Sequence, residues 1–365
     1  MNRGYFLISD ISGYTDFLNR SELDHASEII GSAIQNITRQ IKRPLHVSNY
    51  QGDAVLMYAP EEQVQAPQTL VHQLEQIYFA FRRHIENMRY NTSCKCEACK
   101  NIPGLDLKFF VHYGDYALQT LGDREELTGP DVILVHRLMK NRAVEQTGLA
   151  AYAMFTEAAA ARLPIEEMCV ELKDYEEEFE SLGNIRSRLM CLHSQWEEGI
   201  KSDKNRVKIA AVQRWVETQV QLSVPPQVAW NYITLPEHKK EWLGMAEVDH
   251  MPFRGNAYGN GSKYHCAHGE AGNFEYEVVD WRPFEYLTIE GLAPGNFSFR
   301  QMDVLEENAQ GSLYKVKIIP LNPGLLRGFI NRRRARKIQA QYQAFYDTSH
   351  AGLRDYILQQ EGQGE

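Results

Sequence analysis

Apolar positions along the chain fall into two differently patterned halves. Gly4–Asp10 is a short, largely apolar run of the kind that forms a buried strand. Leu23, Ala26, Ile30, Ala33, Ile37 and Ile41 recur at helical spacing, and so do Leu70, Leu74, Ile77, Phe81, Ile85 and Met88. Between them, His46–Tyr58 reads as two strands around a tight turn at Gln51-Gly52-Asp53. Leu105–Leu118 is strand-like, and Asp131–Asn141 and Phe155–Arg162 read as helices. Val170–Leu172 and Ile185–Leu192 would close a sheet, while Glu176-Glu177-Glu178 reads as solvated. This β-α-β-β-α-β order predicts a ferredoxin-like or related α/β sheet.

Trp196–Arg206 is polar, carries Gly199 and reads as a linker. Beyond it Val216, Thr218, Val220, Leu222 and Val224 alternate as in a half-buried strand. Pro225-Pro226 opens a short helix with Val228, Trp230 and Ile233. Strand-like runs broken by Gly, Asn and Pro follow from Gly261 to Pro320. Leu326, Ile330, Ile338, Tyr342, Phe345, Leu353 and Ile357 fit one long final helix. The second half is thus an α+β domain.

Composition narrows the class. A chain of 365 residues makes two domains at about 100–200 residues each. With 43% hydrophobic and 24% charged residues it has the make-up of a globular protein. No apolar run approaches the ~18 residues of a membrane span. Met1 is followed almost directly by Tyr5-Phe6-Leu7-Ile8, without a basic region and cleavage site, so a cytoplasmic location is expected. The net charge of −9 sits in the first half. A chain with no broad basic face is not expected to bind nucleic acid. In a chain this long, six cysteines do not suggest a secreted disulfide framework.

Two carboxylates are the first candidate chemistry. Asp10 ends the first strand and Asp53 sits at the hairpin turn. If those strands are neighbours, both carboxylates project from one sheet edge and suit Mg²⁺ or Mn²⁺. Gly13 and Thr15 leave backbone N–H groups near a helix start, a geometry that can cradle phosphate. The alternative is a pair of turn aspartates with local hydrogen bonds.

These motifs resemble the catalytic domain of class III nucleotidyl (adenylate/guanylate) cyclases, in an uncharacterised bacterial branch. Ile8–Thr15 matches their first strand, with Tyr14 in the aromatic slot, and Gly52-Asp53 their hairpin. His112-Tyr113-Gly114 matches a later strand, and Gly129–Arg137 partly matches the following helix. The resemblance implies two metal ions held by Asp10, Asp53 and the Ile11 carbonyl, with Gly13, Tyr14 and Thr15 on the phosphates. It implies a nucleoside triphosphate substrate, cyclised with loss of pyrophosphate. Arg137 falls in the slot of the catalytic arginine, which in that family acts across a dimer interface, so a homodimer is implied. Three slots are altered: Asn49 replaces the purine-reading lysine, Glu126 the base-reading aspartate and Ile133 the ribose-orienting asparagine. The same residues therefore also fit a nucleotide- and metal-binding pseudo-cyclase.

Cys94, Cys96 and Cys99 form a second candidate, with the spacing of metal ligands. Structural Zn²⁺ would need a fourth ligand, with His112, Cys169 and Cys191 as candidates. The alternative is a reduced loop of cysteines.

The second half resembles START-like helix-grip domains of the SRPBCC, polyketide-cyclase type. The resemblance rests on the alternating strand, the Pro-x-x-Val-x-Trp helix start at Pro225–Trp230, the Asp280-Trp281-Arg282-Pro283 turn and the long terminal helix. It implies a sheet wrapped around that helix and an apolar cavity for a hydrophobic small molecule. In Tyr264-His265-Cys266-Ala267-His268, the histidines His265 and His268 are candidate cavity-lining groups, and an exposed strand face is the plainer reading. Arg332–Lys337 is a basic run, read as a solvated helix face or a contact for phosphate or membrane.

The expected fold class is α+β: an N-terminal ferredoxin-like, cyclase-type α/β domain over 1–196 and a START-like domain over 206–360. Residues 197–205 form the linker and 361–365 a tail. The expected function is a metal-dependent nucleotidyl cyclase-like activity under control of a cavity ligand. The alternatives are the inactive pseudo-cyclase and a small-molecule carrier acting through the second domain.

Overall fold

The computed structural model describes residues 2–91, 94, 96–121, 124–180, 182–210, 215–267, 273–294, 297–321 and 329–362, without the side chains at 121, 124–125 and 329–338. The chain divides into two compact units, Met1–Lys204 and Asn205–Glu365. Both are mixed α+β.

In the first unit β1 (Asn2–Ser12) is followed by the short helix α1 (Tyr14–Asn19) and by α2 (Leu23–Gln40). The hairpin β2 (His46–Gln51) and β3 (Ala54–Pro60) leads into α3 (Pro67–Asn91). After α4 (Glu97–Asn101) comes the long strand β4 (Asp106–Leu121). These strands lie in the order β2-β3-β1-β4, all antiparallel, which is the ferredoxin-like arrangement. The sheet is then extended. β5 (Arg124–Thr128) pairs with β4, and the helices α5 (Pro130–Leu138) and α6 (Ala143–Thr147) follow. Then come β6 (Tyr152–Thr156), α7 (Glu157–Ala160), α8 (Ile165–Met168), β7 (Leu172–Phe179), β8 (Gly183–Cys191) and α9 (Leu192–Asp203). β6 joins β4 in parallel, and β8 and β7 complete that side.

Burial on both faces explains the unbroken apolar run of β1. Tyr5 and Leu7 pack with Ala26, Ile30, Ala33 and Ile37 of α2 and with the buried stripe of α3. Phe6 and Ile8 point the other way, into a core with Val132 and Val135 of α5 and Tyr152 and Met154 of β6. Truncating one such buried Leu or Ile to Ala costs about 2–5 kcal/mol.

Three readings of this half change. Phe155 and Thr156 complete β6 instead of opening a helix. All five β6 residues are buried, and a fully buried run carries no period that separates strand from helix. Glu177 is not solvated: strand alternation on β7 turns it inward between exposed Glu176 and Glu178. There it accepts from Tyr175 Oη, from the Arg142 amide at 3.0 Å and from Arg142 Nε at 2.8 Å. Most of 197–205 continues α9 and is not an open linker. Gly199 serves close packing, because a Cβ there would lie 2.8 Å from the ring of Phe79.

The second unit begins its sheet with β9 (Val216–Leu222) and continues through helices α10 (Pro226–Thr234) and α11 (Pro236–Trp242). Six antiparallel strands follow: β10 (Glu247–Met251), β11 (Lys263–Ala267), β12 (Asn273–Arg282), β13 (Tyr286–Ala293), β14 (Phe297–Asn308) and β15 (Gly311–Pro320). β9 closes onto β15, so the first strand pairs with the last. The terminal helix α12 (Phe329–Glu361) lays Tyr346, Leu353 and Ile357 into the core of this sheet. The basic run Arg332–Lys337 falls where side chains lie outside the described residues.

Candidate functional site

The register of β1 with β3 pairs Ser9 with Val55, so Asp10 and Asp53 meet at one end of the sheet. The turn at Gly52-Asp53 is tight, with Gly52 at φ +65°, a conformation glycine adopts without steric cost. Asp53 accepts hydrogen bonds from its own amide and from that of Ile11. Its carboxyl is nevertheless pushed up to about 6, first by burial and then by the charge of Asp10. Burial raises the Asp10 carboxyl as well, opposed by Lys108.

Lys108 was not singled out from the sequence. It lies directly across from Asp10 in the β1–β4 register, on the same face of the sheet. Its ammonium stands 5.7 Å from the centre of the Tyr152 ring, and burial lowers its pKa. The only sequence signal for it was its place in the strand before His112.

Gly13, Tyr14 and Thr15, expected from the resemblance to contact phosphate, follow β1. Gly13 has φ +86°, and a Cβ there would come 2.8 Å from the Gly104 carbonyl oxygen, so no other residue fits without a backbone shift. Tyr14 is half-buried and Thr15 is exposed at the start of α1.

The His112-Tyr113-Gly114 motif has a clear local job. His112 is buried, with Nδ1 2.8 Å from Thr156 Oγ1 and Nε2 3.4 Å from Asp131 Oδ1. Asp131 also accepts from the Asp115 amide at 2.7 Å. A Cβ on Gly114 would lie 2.2 Å from that same carboxylate. The motif therefore seats Asp131, and with it the start of α5. Farther along α5, Ile133 and Arg137 are both exposed and one helical turn apart.

The two residues expected in base-reading slots differ in setting. Asn49 sits on β2 at a break in register, with its Oδ1 buried and no hydrogen-bond partner. Glu126 is half-buried on β5, opposite Gln119. Asp10, Asp53, Ile11 and Lys108 are thus brought together, while Arg137 and Ile133 present an open helix face.

The three cysteines gather around a residue the sequence reading missed. His25, in the first turn of α2, joins Cys94, Cys96 and Cys99, with one ligand-type atom from each within 4.8 Å of all the others. His25 Nδ1 is 3.2 Å from Cys96 Sγ and 3.9 Å from Cys99 Sγ. The fourth-ligand candidates are corrected accordingly. His112 is committed to Thr156 and Asp131, Cys169 contacts Met190 Sδ at 3.0 Å, and Cys191 is buried at the end of β8. His25 lies some 70 residues before the cysteines, and only the fold brings it close.

In the second unit a cavity of about 380 Å³ opens among α11, α12 and the middle strands. Phe299, Tyr342 and Tyr346 give it apolar walls, and Lys239, Tyr276 and Asp303 a polar lining. Lys239 Nζ donates to Tyr276 Oη at 2.9 Å. Asp303 accepts from Gln301 at 2.8 Å and Tyr314 at 3.2 Å. Burial lowers the Lys239 pKa and raises that of Asp303, each opposed by the other's charge. His265 does not line this cavity. Alternation on β11 turns it outward to Glu275, 3.2 Å away, and it is Tyr264 and Cys266 that face inward. His268 lies outside the described residues.

Residues 30–147 match the model of a family described as protein of unknown function, DUF2652. That span holds Asp53, the cysteines and α5, but neither Asp10 nor His25. An uncharacterized protein of Mycobacterium tuberculosis is 29% identical over 116 residues, 32% of this chain. The chain spans about half the length of that curated relative, 52%. Among solved structures, a bacterial light-regulated adenylyl cyclase is similar with a TM-score of 0.41 and 15% identity, over 52% of this chain and 51% of that one. The adenylyl cyclase CyaB of P. aeruginosa is similar with a TM-score of 0.40 and 11% identity, over 52% of this chain and 93% of its own. The guanylyl cyclase Cya2 gives 0.37 and 14%, over 52% and 94%. No helix among the described residues is long and apolar enough to cross a membrane.

Proposed function

We propose that the first unit binds a nucleoside triphosphate with Mg²⁺ or Mn²⁺ and converts it to a cyclic nucleotide and pyrophosphate. The observation that carries this is the meeting of Asp10 and Asp53 at one sheet edge, close enough that one charge raises the other's pKa. Two partly buried carboxylates in each other's field are a donor set that a hard divalent cation fits and relieves. Asp10, Asp53 and the Ile11 carbonyl would hold the cations, whose chemistry is to stabilise charge on the triphosphate and acidify the attacking hydroxyl.

The chain's own residues supply the rest. Gly13, Tyr14 and Thr15 offer backbone and hydroxyl donors to phosphate. Lys108, across from Asp10 on β4, partly offsets the charge of Asp10. Arg137, exposed on α5, would neutralise negative charge on the triphosphate of a second copy, which makes the active form a homodimer. Glu126 can accept a hydrogen bond from an exocyclic amine of the base.

A second reading rests on Ile133, whose side chain can donate nothing to a ribose, and on Asn49, whose Oδ1 is buried. In that reading nucleotide and metal bind without turnover. The second unit, read as a START-like domain, would take a hydrophobic ligand with a polar group into the Lys239 cavity.

The test is incubation of the full chain with Mn²⁺ and each of the four ribonucleoside triphosphates, with products read by mass spectrometry. A cyclic product that disappears in Asp53→Ala supports catalysis and names the base. Metal-dependent binding without product supports the second reading.

A further inference from the structure

The cysteines and His25 form a cluster outside the carboxylate edge, and its geometry has a direction. Four soft or borderline ligands, three thiols and one imidazole, lie within 4.8 Å of one another. In a tetrahedral zinc site with Zn–S near 2.3 Å and Zn–N near 2.0 Å, ligand atoms stand about 3.5–3.8 Å apart. The nitrogen–sulfur separation in such a site, about 3.5 Å, falls between the 3.2 Å from His25 Nδ1 to Cys96 Sγ and the 3.9 Å from either ring nitrogen of His25 to Cys99 Sγ. A Cys₃His set fills all four positions, which is the pattern of a structural site and not a catalytic one. None of the six cysteines is in a disulfide.

The surroundings support the thiolates and tie two distant segments together. The Cys99 amide points at Cys96 Sγ, 3.4 Å away, as backbone amides do around metal-bound sulfur. Glu22, just before His25, accepts from the Glu97 and Ala98 amides at 3.3 and 3.1 Å, capping α4 from across the chain. Phe17 of α1 shares a buried core with Ala98, Cys99 and Ile102. The chain then runs through Ile102–Gly104 to the carbonyl that crowds Gly13.

We infer that His25, Cys94, Cys96 and Cys99 bind one structural Zn²⁺, and that this ion fixes the segment around Gly104 against which the Gly13 turn is seated. The zinc lies behind the turn and takes no part in chemistry at Asp10 and Asp53. Its loss would loosen α1 and the Gly13 turn whether or not that edge binds nucleotide.

The test uses the full chain, purified under reducing conditions without chelator. Metal analysis is expected to give one zinc per chain. His25→Ala is expected to lower the content at least about fivefold, and His25→Cys to retain it, because a Cys₄ set also binds zinc. Hydrogen exchange read by mass spectrometry then follows zinc removal from the native protein by a chelator. Peptides covering 13–25 and 96–105 are expected to exchange at least about tenfold faster, with those of 205–365 unchanged. Iron in place of zinc, or less than about a tenth of an equivalent of zinc, overturns the site. Zinc retained in full by His25→Ala overturns the role of His25. Unchanged exchange at 13–25 after zinc is lost overturns the link to the turn. A nucleotide assay enters none of these outcomes.

Discussion

The Asp53 carboxyl is pushed up to about 6, first by partial burial and then by the charge of Asp10 near the end of β1. An acid whose folded pKa exceeds its unfolded value loses stability as pH rises from the unfolded pKa, about 4, to the folded one. Well above pH 6 the edge therefore carries two negative charges in each other's field, which a divalent cation bound as proposed would relieve. Mn²⁺ is expected to raise the unfolding temperature at pH 7.5 and to have little effect at pH 5, where Asp53 is mostly protonated. Equal shifts at both values contradict this.

Removing one charge tests the same coupling without metal. Asp10→Asn takes away a cause of the raised Asp53 pKa, so the metal-free protein is expected to gain stability at pH 7.5. The gain corresponds to about 1–3 °C for a unit of this size. The variant is also expected to lose the Mn²⁺ shift. Thermal unfolding with and without Mn²⁺ checks both, and a less stable metal-free variant contradicts the account.

Gly114 and Asp131 make a packing prediction. Gly114→Ala drives a Cβ into the Asp131 carboxylate, which must leave His112 and the Asp115 amide. The expected cost is about 1–3 kcal/mol, in the range of overpacked cores. Urea unfolding measures it, and a change within about 0.5 kcal/mol contradicts the role assigned to the motif.

The cavity of the second unit makes a charge prediction. Lys239 is buried at its lining, so an anionic apolar probe should use that ammonium. Binding of 1-anilinonaphthalene-8-sulfonate, followed by fluorescence, is expected to weaken about tenfold or more in Lys239→Met, one lost charge-assisted hydrogen bond. Unchanged affinity places the probe elsewhere.

The parts legible in the sequence are those with local patterns. The apolar stripe of α2, the Gly52-Asp53 turn and the alternation of β9 each depend on neighbours within a few residues, and each appears where expected. What depends on partners far along the chain was hidden. Nothing near His25 marks it as a ligand, because its partners come some 70 residues later. Glu177 looks like one of three solvated glutamates until β7 pairs with β8 and fixes which face it takes. Gly199 looks like a flexible linker until α9 packs on Phe79. The sequence brought Asp10 to the site but not Lys108, which only the β1–β4 register places across from it.

The central claim is that Asp10 and Asp53 form a cation-dependent nucleotide site. Calorimetric titration of the full chain at pH 7.5 with each ribonucleoside triphosphate, with and without Mn²⁺, tests it most directly. The account predicts binding of at least one nucleotide that requires Mn²⁺ and is lost in Asp53→Ala. No binding of any of the four, or binding indifferent to both Mn²⁺ and Asp53, would contradict it.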